Sequence, residues 1–329
     1  MYQPNPDRYR DMPYVRMGAS GVLIAPIALG LWQNFGEDYR YDVCRDTILT
    51  AFDAGVNHID LANNYGNPGG SAERTFGRVL ANELAAHRDE LFISTKAGYA
   101  MWPGPFGDRG SKKYLIASLD QSLKRMGLTY VDLFYHHRPD DDTPIEETAE
   151  ALEQIVRQGK ALYIGLSNYN AAQTHQMLTE LASRGLHCLI HQMRYSMFAR
   201  EAEGALFGEL RAHGVASIAF SPLAQGLLTN KYLDGVPTES RMNEKTTSLK
   251  PEALTPERLS QLQALNRIAQ ARGQSLAQLA LAWALRIGGA DALIVGARNP
   301  EQLTDSLGAL RQVRLSADEL TAIESVLAG

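Results

Sequence analysis

The sequence predicts a (β/α)8 barrel with an N-terminal β-hairpin and a C-terminal extra helix. Two observations lead there. Short, near-continuous apolar runs alternate with stretches of helical periodicity along most of the 329 residues. That is the pattern of a parallel sheet buried on both faces. In addition, chemically capable side chains stand where several of those runs end, on the strand-to-helix side, where barrels keep their active sites.

Residues 1–13 are polar, hold three prolines and read as a loose arm. Tyr14–Met17 and Val22–Ile24 flank the turn composition Gly18-Ala19-Ser20-Gly21 and predict a small hairpin able to plug one end of the barrel. Ile27–Leu31 is the first buried strand. Further apolar runs at 57–62, 91–96, 131–136, 161–166, 188–193, 215–220 and 292–296 bring the count to eight. Helical patterns fall at about 41–54, 72–85, 112–126, 145–158, 171–184, 201–213 and 257–272. Gly55 and Gly127 suit left-handed helix ends. Thr143-Pro144-Ile145-Glu146 reads as a helix start. Leu315–Gly329 adds the final helix, with Ser316 as its cap. Two long inserts, Gly98–Ser111 and Gln225–Pro256, follow the third and seventh strands, and loops of that length commonly serve a site. No repeat or composition break divides the chain, so residues 1–329 read as one domain.

The formal net charge is −5, and no basic stripe stands out, which argues against nucleic acid as a partner. The longest apolar stretch, Val22–Trp32, is interrupted by Pro26 and is far shorter than the ~20 residues a bilayer requires. The first twenty residues lack a signal-peptide core. The expectation is a cytoplasmic protein, with Cys44 and Cys188 as reduced, buried thiols.

The stretch His58–Gly66, HIDLANNYG, places the carboxylate of Asp60 at a strand end and the phenol of Tyr65 on the following loop. The next two strands end in Lys96 and in His136-His137. A phenol is a poor acid at neutral pH. A neighbouring ammonium is expected to lower its pKa, and Asp60 to keep that ammonium charged. A histidine beside the tyrosine orients a carbonyl oxygen or shares its proton. These are the parts of an acid that protonates a carbonyl oxygen while hydride arrives at carbon. No HExxH, CxxC or tight His/Cys cluster indicates a metal, and the side chains of His136 and His137 point to opposite faces of their strand.

With these residues in place, the chain resembles the aldo-keto reductase superfamily from about Tyr14 to Leu310. HIDLANNYG, STKAG and YVDLFYHHRPD carry the resemblance. It implies Tyr65 as proton donor, Asp60 and Lys96 as its tuning pair, and His137, followed by Arg138-Pro139-Asp140, as the orienting histidine. It also implies NADPH, bound extended across the barrel mouth without the GxGxxG motif, which this sequence lacks. Ser167, Asn168 and Gln192 match positions that hold the nicotinamide carboxamide, and Phe220 the aromatic that stacks on it. Ser221, Pro222, Leu223, Ala224, Gln225 and Gly226 match the pyrophosphate loop, and Lys231 and Arg241 its basic clamp. Gly296, Arg298 and Gln302 match the adenosine end. Many members keep lysine and arginine where Gly296 and Gln302 stand, so Arg298 is expected to supply the charge for the 2′-phosphate. Trp32 is expected at both cofactor and substrate, and Trp102 as a pocket wall beside Tyr65 and His137.

Longer segments, among them SLDQSLKRMGL, RQGKALYIG and FSPLAQGLLT, resemble a bacterial branch of L-glyceraldehyde 3-phosphate reductases, next to the potassium-channel β subunits. The resemblance implies reduction of small aldehydes, such as L-glyceraldehyde 3-phosphate or methylglyoxal. Arg109, Lys112 and Lys113 are candidates for the substrate phosphate, and the resemblance to the channel subunits implies a homo-oligomer, a tetramer or larger. Two other readings follow from the same residues. One is an NADPH-binding redox sensor like the channel subunits, which carry asparagine in place of His137. The other is a barrel lyase or isomerase using Lys96 as a Schiff-base former.

Overall fold

The structure, a computed structural model, describes residues 2–237 and 249–328. A two-stranded antiparallel hairpin, β1 (Val15–Arg16) and β2 (Leu23–Ile24), comes first. Eight parallel strands then close into a barrel: β3 (Ile27–Gly30), β4 (His58–Asp60), β5 (Phe92–Ala97), β6 (Val131–His136), β7 (Ala161–Ser167), β8 (Cys188–Arg194), β9 (Ala216–Phe220) and β10 (Ala292–Val295). The chain order is also the spatial order, with β10 pairing β3 to close the ring.

The hairpin seals the end opposite the site. Ala19 donates its N–H to Gly214 O at 2.8 Å, and Asn57, at the start of β4, hydrogen-bonds the backbone of Leu23 and Ala25. Met17 and Ile24 complete an apolar cluster with Ala28, Leu133, Tyr135, Ile190, Ile218 and Ile294 inside the barrel. Gly18 is required there: its φ is +52°, and a Cβ would stand 2.0 Å from Gly214 O. At mid-barrel, Gly165 makes room for the Tyr135 ring, which a Cβ would approach to 2.5 Å.

The helices are α1 (Tyr41–Asp53), α2 (Ser71–Val79), α3 (Lys112–Met126), α4 (Ile145–Arg157), α5 (Ala171–Ser183), α6 (Ala205–Ala212), α7 (Pro256–Ala271), α8 (Leu276–Ala284), α9 (Pro300–Leu307) and α10 (Ala317–Ala328). Ser111 caps α3 through Tyr114 N, and Gly127 ends it at φ +69°. Ser316 and Glu319 exchange bonds at the start of α10.

Several elements differ from the sequence reading. The helical pattern over 72–85 corresponds to α2, then a π turn (Leu80–Leu84) and a 3-10 turn (Ala85–Glu90). The helix expected from residue 201 starts at Ala205, because Gly204 takes a conformation (φ 78°, ψ −99°) that a helix cannot contain. The helix expected at 257–272 is α7, and a second helix, α8, follows it without having been expected. α7 packs with α10, while every residue of α8 except Gln278 is buried. The stretch before β1 is fastened to the barrel: Tyr2 Oη donates to Asp53 at 2.7 Å, Tyr14 Oη to Gly55 O at 2.7 Å, and Arg8 pairs with Glu90. Cys44 and Cys188 are free and buried, and burial pushes their thiols up to about 11 and about 12. Among the described residues, no helix is long and apolar enough to cross a membrane.

Candidate active site

Side chains alternate along a strand, so residues that share parity on paired strands meet inside the barrel. Gly30 registers with Asp60, and Asp60 with Ser94. Lys96 registers with Tyr135, Tyr135 with Gly165, and Ser167 with Gln192. These inward positions form a polar layer above the apolar plug. His137 continues the parity of Tyr135 and reaches the cavity. His136 faces the other way, with Nδ1 at 2.6 Å from Tyr169 Oη.

Asp60 is the hub of that layer. Its Oδ2 accepts from Lys96 Nζ at 2.6 Å, and Lys96 Nζ also donates to Leu61 O at 2.6 Å. Its Oδ1 accepts from Ser94 Oγ at 2.8 Å and Gln192 Nε2 at 3.1 Å. Behind Ser94, at 2.9 Å, lies His58 Nε2. Asp60 and Lys96 are almost wholly buried. An uncompensated charge there would be costly, so pairing and extra donors are what hold the ions in place. Ser94→Ala removes a donor from Asp60 and strips His58 Nε2 of its partner. The expected cost is about 1–3 kcal/mol of stability. It would appear as a lower urea midpoint, and an unshifted midpoint would exclude this role for Ser94.

Tyr65 is held by the loop after β4. Tyr65 N donates to Ala62 O, while Gly70 N and Ala72 N both donate to Tyr65 O. Gly66 has φ +82°, and a Cβ there would lie 2.3 Å from Ser71 Oγ, so the turn must be glycine. Asn63 Nδ2 donates to Tyr114 Oη at 3.0 Å and ties the loop to α3. Lys96 Nζ stands 4.7 Å from the centroid of the Tyr65 ring. The His137 ring meets Tyr65 edge-on at 5.9 Å and Tyr99 at 4.6 Å.

The electrostatics correct one expectation. The Tyr65 phenol lies well above its ordinary value rather than below it: burial dominates, and the Asp60 charge adds to it. Burial also lowers Lys96, against the pull of Asp60. His137 is held well below the ordinary histidine value by burial and by Lys96. The resting site is therefore a neutral phenol and a neutral imidazole beside a buried ion pair. Such a phenol donates a hydrogen bond, and gives up its proton only as an acceptor oxygen gains charge. The alkaline limb of activity is expected to belong to Lys96, whose value is lowered, and not to Tyr65, whose value is raised. The rate should stay flat from about pH 6 to 8, ordinary histidine titration near 6.5 being suppressed at His137. A rate–pH profile with an inflection near that ordinary value would contradict this.

A cavity of about 940 Å³ opens above these residues. Trp32, Asp60, Tyr65, His137, Asn168, Gln192, Phe220, Ser221, Pro222, Leu223, Gln225, Gly226, Lys231, Gly296, Arg298 and Gln302 line it, as the sequence reading grouped them. Lys96 and Ser167 lie beneath its lining and Ala224 outside it; Arg241 falls outside the described residues. Trp102, expected as a pocket wall, instead packs on Tyr114 at 5.0 Å. Arg109 pairs with Asp142, Lys112 with Glu150, and Lys113 lies over Phe106. None of the three lines the cavity. The Schiff-base reading loses support, because Lys96 is buried in its ion pair.

The cavity also has lining residues that the sequence reading did not select, including Asn34, Asn64, Tyr99, Ser275, Glu301 and Asp305. Asn64 and Tyr99 adjoin motif residues, which was the available signal. Glu301 and Asp305 share α9 with Gln302, and that helix carried no recognised boundary. At the α9 end, Asn299 caps the helix through Gln302 N, and helix N-termini favour anions. Between the two ends, Ser221, Ala224, Gln225 and Gly226 all have φ between 47° and 98°. Non-glycine residues rarely hold such backbone unless the surroundings enforce it, and it clusters at ligand sites. Asn168, at φ +62°, donates Nδ2 to His137 O and Ser167 Oγ.

The family model for the aldo/keto reductase family matches residues 26–328. The chain belongs to the aldo-keto reductase family. It is 50% identical over 328 residues to the L-glyceraldehyde 3-phosphate reductase of Escherichia coli strain K12, spanning 98% of this chain and 95% of that protein. It is 33% identical to a putative voltage-gated potassium channel subunit beta of Schizosaccharomyces pombe, over 97% of this chain and 94% of that one. A probable channel subunit beta of Arabidopsis thaliana is 35% identical over 313 residues. Family membership makes the chain an oxidoreductase with a nicotinamide cofactor. The residues fit that group: amides and an aromatic at one end, a strained backbone loop midway, and a capped helix start beside Arg298 at the other.

Proposed function

We propose that this aldo-keto reductase uses NADPH to reduce short aldehydes to primary alcohols, with L-glyceraldehyde 3-phosphate as a preferred substrate and methylglyoxal-like dicarbonyls also accepted. The observation that carries the chemistry is the buried Asp60–Lys96 pair beneath the neutral Tyr65 and His137, at the floor of a cavity long enough to reach α9. Full-length identity to a named L-glyceraldehyde 3-phosphate reductase supports the substrate.

When bound, reduced nicotinamide supplies hydride to the carbonyl carbon. The rest is the work of this chain. Asn168 and Gln192 present amides to the carboxamide, and Phe220 presents a flat apolar face. His137, neutral, donates a hydrogen bond that fixes the carbonyl oxygen. Tyr65 gives that oxygen its proton as negative charge develops there, and the nearby Lys96 ammonium stabilises the phenolate left behind. Asp60 keeps Lys96 charged and in place.

Near Tyr65 the cavity offers neutral groups, Asn64 and Tyr99, and none of the expected cations Arg109, Lys112 and Lys113. Phosphate recognition then rests on hydrogen bonds. Catalytic efficiency is expected to be about tenfold higher for glyceraldehyde 3-phosphate than for glyceraldehyde, the size of one good hydrogen bond to a charged group. Equal efficiencies would remove the phosphate from the account.

For the cofactor, Arg298 is the cation at the α9 end, with Glu301 and Asp305 nearby. Arg298→Ala is expected to raise KM for NADPH about tenfold, with little change in kcat or in KM for NADH. An equal rise for both cofactors would assign Arg298 to the loop's structure and not to the 2′-phosphate. The channel-subunit reading would take over if the protein bound NADPH tightly yet turned over no aldehyde in a broad panel.

A further inference from the structure

We propose that His175, Glu209 and His213 form a transition-metal site on the outer wall of the barrel, clasping α5 to α6. His175 lies in the second turn of α5, and Glu209 and His213 are four residues apart at the end of α6, on one face of that helix. His175 Nδ1 is 2.8 Å from Glu209 Oε1, and His213 Nδ1 is 3.1 Å from the same oxygen. The three ligand atoms all lie within 4.8 Å of one another.

Those spacings suit a metal. Zinc bonds to histidine nitrogen and carboxylate oxygen are about 2.0–2.2 Å long, so ligand atoms around a tetrahedral ion stand about 3.3–3.5 Å apart. The His213–Glu209 edge falls within a few tenths of an ångström of that value, and the shorter His175–Glu209 edge needs to open by about 0.5 Å, which rotation of the exposed His175 ring permits. Two imidazoles and one carboxylate form a borderline donor set, suited to zinc, nickel or copper and ill-suited to calcium or magnesium, which take oxygen ligands. Partial exposure of all three residues leaves the fourth position to water.

A second observation points the same way. His213 is the C-terminal cap residue of α6, and its Nδ1 also lies 3.1 Å from Glu209 O. The site is thus at the negative end of a helix dipole, where a cation is stabilised. None of the three residues lines the catalytic cavity. The ion therefore has no part in the reduction. It joins two neighbouring helices and stabilises the folded chain in proportion to its occupancy. A metal takes the unprotonated nitrogen of an imidazole, so each ring would present a bare Nδ1 to the ion and carry its hydrogen on Nε2.

The test uses tag-free, EDTA-stripped full-length protein titrated with ZnCl2 by calorimetry and followed by thermal unfolding. The expected result is one saturable site and a Tm that rises with zinc. In the double variant His175→Gln/His213→Gln, affinity should fall at least tenfold and the Tm response disappear, while the metal-free reductase rate matches wild type. Glu209→Gln provides the same test if the double variant does not fold. Absence of saturable zinc binding, or one-to-one binding unchanged in these variants, would overturn the proposal.

Discussion

Tyr65→Phe is expected to lower kcat for aldehyde reduction by about 10²–10⁴-fold, the usual contribution of a positioned acid, while cofactor binding stays within about twofold of wild type. The substitution removes one oxygen and leaves the ring that packs against His137 and Lys96. Its loop is fixed by backbone bonds and by glycine at position 66, not by the phenol. The expected loss is therefore in kcat, with the fold intact by circular dichroism. Cofactor affinity, read by fluorescence titration, separates a lost acid from a damaged site. A variant that kept more than a tenth of the wild-type rate would show that another group protonates the substrate oxygen.

Lys96→Met carries the largest expected effect on stability. It leaves Asp60 charged, buried and without its cation, which costs about 3–5 kcal/mol when one partner of such a pair is removed. It also removes the positive charge beside Tyr65, so activity should fall at least as far as in Tyr65→Phe. The double variant Asp60→Asn/Lys96→Met is expected to recover much of the stability and none of the activity. Denaturant midpoints measured beside initial rates check both halves. If the double variant were no more stable than Lys96→Met, the loss would lie in packing and not in the stranded charge.

The barrel and its chemistry were legible where the signal was local. Buried parallel strands read as unbroken apolar runs, and Asp60 and Lys96 could be placed because a strand end is visible in sequence, whereas Gln192 and Phe220 were assigned only through the family resemblance. α8 was not legible, because Leu276–Ala284 is buried on nearly every side and shows no polar face to betray a helical period. The π turn after α2 changes the period within one element, which a single-period reading cannot detect. The phosphate candidates failed for another reason. Charge in a loop indicates a possible ligand, but only the fold shows that Asp142 and Glu150 already engage Arg109 and Lys112. The direction of the Tyr65 shift was missed in the same way: proximity to a lysine was foreseeable, whereas the depth of burial that outweighs it was not.

The most direct test of the proposed reaction is an isotope transfer. NADPH deuterated at both C4 positions of the nicotinamide is incubated with glyceraldehyde 3-phosphate and the wild-type protein, and the alcohol product is analysed by mass spectrometry. The expected product carries one deuterium on the former carbonyl carbon, in step with cofactor consumed, and its formation collapses in Tyr65→Phe. Product without deuterium, or no product from an enzyme that binds the cofactor, would contradict hydride delivery to an aldehyde at this site.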